Sequence, residues 1–201
     1  MRISRLSDND KNVFKILDVA GNAQTEDLIK AGASKTRIYN YQRDDLICRL
    51  IYQNSKSYTD FCYAWGLTTA GRAFAKKHFG IMVAKSVKNA IRHNVEVGRQ
   101  CAKLIAEKSI DADSIISETD LRKLIKCRLT QMQQDDFKSY VQYTDLYDKG
   151  MFGMPDITYI TRGQKLACIE VVTQNYSEQK AIQLDNTIYF LKVSKLDVIK
   201  I

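Results

Sequence analysis

The period of the hydrophobic pattern changes at Asp44-Asp45, and this change restricts the fold more than any other feature of the chain. Before it, apolar residues recur at helical spacing. Ser7 suits a helix cap, with Asp8 and Asp10 favourable in the first turn. Val13, Ile16, Leu17 and Ala20 then line one face until Gly21-Asn22 stops the helix. Thr25 starts a short second helix, with Leu28 and Ile29 directed inward and Gly32 ending it. Ser34 caps a third, over about 35–44, with Ile38 and Tyr41 on its buried side. After the break, Leu46 to Tyr52 and Tyr58 to Trp65 are rich in β-forming residues and flank the polar turn Asn54-Ser55-Lys56-Ser57, which predicts a β-hairpin. Thr68 or Thr69 then caps a helix that Gly80 ends.

Beyond Gly80 the pattern predicts a long helix over about 83–107, with Val87, Ala90, Ile91, Val95, Val97, Cys101, Leu104 and Ile105 as its apolar positions. Asp111 to Ser117 reads as a loop and Glu118 to Arg128 as a short helix, while the tyrosine-rich stretch 130–150 carries no clear period. The last third is strand-rich. Asp156 to Ile160 is followed by the turn Thr161-Arg162-Gly163-Gln164. The nearly continuous apolar run Lys165 to Thr173 suits a central strand. Ser177 to Leu184 suits a helix, and Ile188 to Val193 and Val198 to Ile201 further strands. The predicted class is α+β, with a first domain over 1–80, a connecting helix over 81–110 and a small α/β domain over 111–201.

Composition excludes several classes. No apolar run approaches the ~20 residues that span a bilayer, and Met1 to Lys11 lacks the apolar core of a signal peptide, so a cytoplasmic protein without a membrane partner is expected. The five cysteines contain no CxxC pair and there are two histidines, which argues against a disulfide framework or a zinc site. Tyr140 and Tyr143 read as packing residues, because a tyrosine strand-transfer nucleophile needs a histidine-metal cluster or an arginine-rich pocket. The net charge is +8, and residues 1–80 hold 13 basic against 8 acidic side chains, so most of the excess lies in the first domain. A basic surface concentrates polyanions and gains from counterion release.

The order helix, helix, helix, hairpin, helix is the winged helix-turn-helix plan, in which the third helix enters the major groove of duplex DNA. With Ile38 and Tyr41 inward, Lys35, Thr36, Tyr39, Asn40 and Arg43 turn outward and Arg37 sits at the flank. Arg and Asn pair with base edges; Lys, Thr and Tyr hold phosphates, as can Ser34 at the helix start and Lys56 at the hairpin tip. Ala31-Gly32-Ala33-Ser34, Arg37-Ile38, Leu46-Ile47 and Gly66-Leu67-Thr68-Thr69-Ala70-Gly71-Arg72 resemble the corresponding stretches of bacterial winged-helix regulators over about residues 8–80. A winged helix used for protein contact is the alternative; the basic, amide-bearing outer side favours DNA.

In the last third, Pro155-Asp156 and Glu170 lie fourteen positions apart across a strand–turn–strand. This resembles the PD-(D/E)xK nuclease core, where two carboxylates meet at a divalent metal and a lysine two residues on activates water. The resemblance implies Asp156 and Glu170 as metal ligands for Mg²⁺, with Glu96 completing the set. Val172 stands where the lysine is expected, and Lys180 on the next helix is the substitute. An inactive core retained as scaffold, needing no cofactor, is therefore favoured over an enzyme. The whole layout resembles the replication-relaxation family of plasmid and integrative-element proteins. The matching features are Leu67 to Arg72, His93 to Val97, Pro155-Asp156 and Ile169-Glu170-Val171. That resemblance implies a sequence-specific double-stranded DNA-binding accessory protein of plasmid replication, mobilisation or conjugative transfer. It would act as a homodimer, with relaxase or replication proteins as further partners. Two alternatives stay open: a metal-dependent endonuclease, and a transcriptional repressor with a dimerising C-terminal domain, in which the 83–107 helix supplies the interface.

Overall fold

Ser7 opens the first helix by donating its backbone N–H to the Asp10 carboxylate at 2.7 Å, and through α4 the three helices, the hairpin and the next helix follow in the expected order, with one short added strand. The computed structural model describes residues 5–53, 60–82, 90–107 and 110–201. The chain is mixed α+β and divides into two units, Met1–Ile115 and Ile116–Ile201. Lys56 and the rest of the hairpin turn, together with Val87, lie outside the described residues. Among the described residues no helix is long and apolar enough to cross a membrane.

The first unit runs α1 (Asp8–Ala20), β1 (Asn22–Ala23), α2 (Thr25–Lys30), α3 (Lys35–Arg43), β2 (Ile47–Gln53), β3 (Phe61–Leu67), α4 (Thr69–Phe79) and α5 (Ile91–Glu107). Its sheet has the order β1-β3-β2, antiparallel throughout, with Ile47 opposite Leu67 and Gln53 opposite Phe61. Val13, Phe14, Ile16, Leu17, Leu28, Ile38 and Tyr41 are buried. Phe14 carries the centre of this core, its ring 5.4 Å from Tyr41 and 5.2 Å from Phe74. Ile29, expected inward, is 37% exposed; of the apolar residues of α2 Leu28 is the buried one.

Two glycines set the positions of α3 and α4. Gly32 has φ +103°, and a Cβ there would meet the Asn9 side chain at 2.5 Å. Around it Gly32 N–H donates to Ile29 and Ala33 N–H to Leu28, the paired bonds that close a helix into a left-handed turn. This turn aims α3 away from α2. At Gly71 a Cβ would fall 1.9 Å from the Leu46 carbonyl oxygen, so only glycine lets the start of α4 lie on the start of β2.

Helix α5 is not the connector expected over 81–110. It packs against α1, α2, β1 and β2 inside the first unit, and Val95, Val97, Cys101 and Leu104 are buried. The apolar positions expected to form a dimer interface are therefore largely covered within the unit. A single 3-10 turn, Ala112–Ser114, and the two-residue strand β4 (Ile115–Ile116) replace the expected loop.

The second unit holds α6 (Glu118–Asp135), α7 (Phe137–Asp148), β5 (Ile157–Ile160), β6 (Leu166–Val172), α8 (Glu178–Leu191) and β7 (Lys195–Lys200). The sheet order is β4-β5-β6-β7, with β5 antiparallel and β7 parallel to β6. Strand β6 is central and almost wholly buried, as its continuous apolar run requires. Leu121, Ile125 and Leu129, four residues apart on α6, are buried with Phe152, Phe190 and Leu191. Residues 188–191, expected as a strand, complete α8 instead. Leu184, Thr187 and Leu191 are buried at helical spacing, and Lys192 ends the helix in the left-handed region at φ 54°.

Candidate nucleic-acid interface

Ser34 caps α3, its Oγ accepting the Arg37 backbone N–H at 3.1 Å, and buried Ile38 and Tyr41 fix which side of the helix faces the core. Ser34, Lys35, Thr36, Tyr39 and Arg43 are exposed and Asn40 is half-buried. Rows three and four residues apart on a helix lie side by side, so Thr36, Asn40 and Arg43 form one row and Lys35 and Tyr39 its neighbour. Gln42, which sequence reasoning did not single out, is exposed as well. Nine helical residues make about 13 Å of helix at ~1.5 Å per residue, comparable with the ~12 Å width of a major groove. Arg43 is loosely paired with the neighbouring Asp44, Nε to Oδ1 3.7 Å.

Arg37 departs from expectation. Its Nε donates to Asp10 Oδ1 at 2.7 Å and its Nη2 to Asp10 Oδ2 at 2.8 Å. The same Nη2 reaches the Arg5 carbonyl at 2.6 Å. The Tyr41 hydroxyl donates to Asp10 Oδ1, the oxygen that also accepts Arg37 Nε, and the guanidinium lies 5.5 Å from the Tyr41 ring centroid. Asp10 is 2% exposed. Burial alone would raise its pKa, but bonds from Arg37, Tyr41 and Ser7 outweigh burial and hold the carboxyl below its ordinary value. Burial, then the bond to Asp10, pushes the Tyr41 hydroxyl up, so it stays a neutral donor. Arg37 thus ties α3 to α1 and is spent on positioning the helix. Its partner lies 27 residues away, which a helical wheel cannot reveal.

The hairpin adds a surface that the sequence reading passed over. Alternation puts Arg49, Ile51 and Gln53 of β2 on one side with Phe61, Tyr63 and Trp65 of β3. Ile51, Phe61 and Tyr63 are 61%, 59% and 51% exposed, and the Arg49 guanidinium lies 4.7 Å from the Tyr63 ring centroid. Trp65 is anchored through Nε1 to Thr25 Oγ1 at 2.9 Å. The polar residues Arg49 and Gln53, both on this face of β2, were the available signal for it.

The second unit brings Asp156 and Glu170 together. Ile157 pairs with Ile169, so the preceding Asp156 falls beside Glu170. Asp156 N–H donates to Glu170 Oε2 at 3.1 Å, and Val171 N–H donates to Asp156 Oδ2 at 2.8 Å. Each carboxylate thus holds backbone of the other's strand. Lys180 is exposed on the first turn of α8. Glu96 belongs to α5 of the first unit, where its carboxylate is engaged by Arg99 and, at 2.6 Å, by Gln100 Nε2. Among the described residues no group of three or more His, Cys, Asp or Glu side chains is arranged to hold a metal ion. The pair Asp156 and Glu170 is thus assembled within the second unit.

No family model, curated protein or solved structure matches this chain.

Proposed function

We propose that the chain is a sequence-specific double-stranded DNA-binding protein whose first unit is a winged helix-turn-helix domain reading the major groove with α3. The observation that carries this reading is the division of labour on α3. Arg37, Ile38 and Tyr41 hold the helix from within, while Lys35, Thr36, Tyr39, Asn40 and Arg43 stand outward as one polar, basic strip. An amide and a guanidinium one turn apart suit adjacent base edges, and Lys35 and Thr36 suit phosphates. The hairpin β2–β3 takes the part of the wing. A role in plasmid replication, mobilisation or transfer with relaxase or replication proteins is the extension that the replication-relaxation resemblance suggests, and a homodimer is the habit of helix-turn-helix proteins.

Selection from a randomised duplex library at ~150 mM salt, where non-specific binding is suppressed, is expected to enrich one site. On that site the triple variant Lys35→Ala/Asn40→Ala/Arg43→Ala is expected to bind at least about 100-fold more weakly, since single base contacts contribute ~1–3 kcal/mol. Unchanged affinity in this folded variant removes α3 as the reading helix.

The assembled Asp156–Glu170 pair favours one second reading, a metal-dependent nuclease in the second unit. The β5–β6 hairpin followed by α8 and a parallel β7 supports it. Nicking of supercoiled plasmid with Mg²⁺ or Mn²⁺ that Asp156→Ala abolishes is the expected result; no nicking by the wild type rejects it.

A further inference from the structure

A cavity of about 510 Å³ opens in the second unit between the ends of β6 and β7 and the first half of α8. That volume falls in the range of small-molecule sites. Val172, Leu184 and Leu196 give it aliphatic walls, Glu170, Asp185 and Lys200 are its charged side chains, and Thr173 and Tyr176 add hydroxyls. Glu170 is 8% exposed and keeps its Oε2 on the Asp156 backbone N–H. The Tyr176 hydroxyl is hydrogen-bonded to Glu170. In a chain of net charge +8, this cavity therefore presents two carboxylates against one ammonium. Its local sign is opposite to that of the chain as a whole, so a phosphate is repelled where an ammonium is attracted. A bare metal ion would leave the aliphatic walls unused. An organic cation uses both parts.

We propose that this cavity binds a small amphipathic amine, its apolar body lying against Val172, Leu184 and Leu196 and its ammonium meeting Glu170 and Asp185. The site is independent of the DNA-reading helix and needs no metal.

The test is calorimetric titration of the full chain, without DNA and in the presence of a chelator, using 2-phenylethylamine, 2-phenylethanol and 3-phenylpropionate. The amine is expected to saturate one site at least about tenfold more tightly than the alcohol, with the carboxylate weakest. Asp185→Asn, an exposed position that leaves the fold intact, is expected to weaken the amine about fivefold or more and leave the alcohol unchanged. Ala181→Trp, which fills the cavity from α8, is expected to abolish binding of both. Absence of saturation by the amine up to about 10 mM overturns the proposal. So does equal binding of amine and alcohol, or unchanged amine affinity in Asp185→Asn.

Discussion

Replacing Arg37 by alanine separates a positioning role from a DNA contact. In the folded chain this guanidinium makes a two-pronged bond to Asp10 and reaches the Arg5 carbonyl. Removing one partner of a buried pair costs about 3–5 kcal/mol. The Arg37 side chain is 25% exposed, and Asp10 retains donors from Tyr41 and Ser7, so the cost falls to about 2–3 kcal/mol. For a unit of this size, Met1–Ile115, each kcal/mol lowers the midpoint by about 4–8 °C, so thermal unfolding followed by circular dichroism is expected to shift down by about 8 °C or more. Asp10→Asn is expected to lose a comparable amount, and the double variant Asp10→Asn/Arg37→Ala less than the sum, because both changes break one interaction. At a temperature where Arg37→Ala is still folded, duplex affinity should fall far less than in the α3 triple variant. A midpoint that moves by under about 2 °C, accompanied by lost DNA binding, would show that Arg37 is a base or phosphate contact and that its bonds to Asp10 are incidental.

Asp10 also gives an acid signature. Its folded pKa lies below the ordinary 3.8, so its contribution is present above that value and is lost as pH falls through the folded pKa. Unfolding midpoints measured from about pH 5 to 2 are expected to drop more steeply for wild type than for Asp10→Asn. Gly71→Ala puts a methyl group 1.9 Å from the Leu46 carbonyl oxygen, which only backbone movement relieves, and is expected to cost about 3 kcal/mol or more in urea denaturation. Phe190→Ala removes a ring that lies 4.8 Å from Tyr143 and 5.2 Å from Phe152 and is expected to destabilise the second unit by about 3–5 kcal/mol. Lys35→Ala is expected to lower the salt dependence of duplex binding by about one unit of slope without changing which sequence is preferred.

What the chain displays in its sequence is what one turn or one hairpin decides. The Ser34 cap, the inward Ile38 and Tyr41 and the stop at Gly80 are each settled by neighbours within four residues, and each stands as read. The closeness of Asp156 and Glu170 was legible for the same reason: the turn Thr161 to Gln164 fixes the register of the two strands it joins. Misreadings begin where the deciding partner is distant. Ile188-Tyr189-Phe190-Leu191 has the composition of a strand, but Phe190 and Leu191 gain more by joining Leu121, Ile125 and Leu129, some sixty residues earlier, and that requires the helical period. Helix α7 buries no residue fully and touches its core only through half-buried Tyr143, Leu146 and Tyr147. The stretch 130–150 therefore shows almost no period to detect. Arg37 combines both cases. Its place on α3 was evident, but its chemistry was decided by Asp10 across the domain, and a side chain that looked free to meet DNA is the one that fixes where the others point.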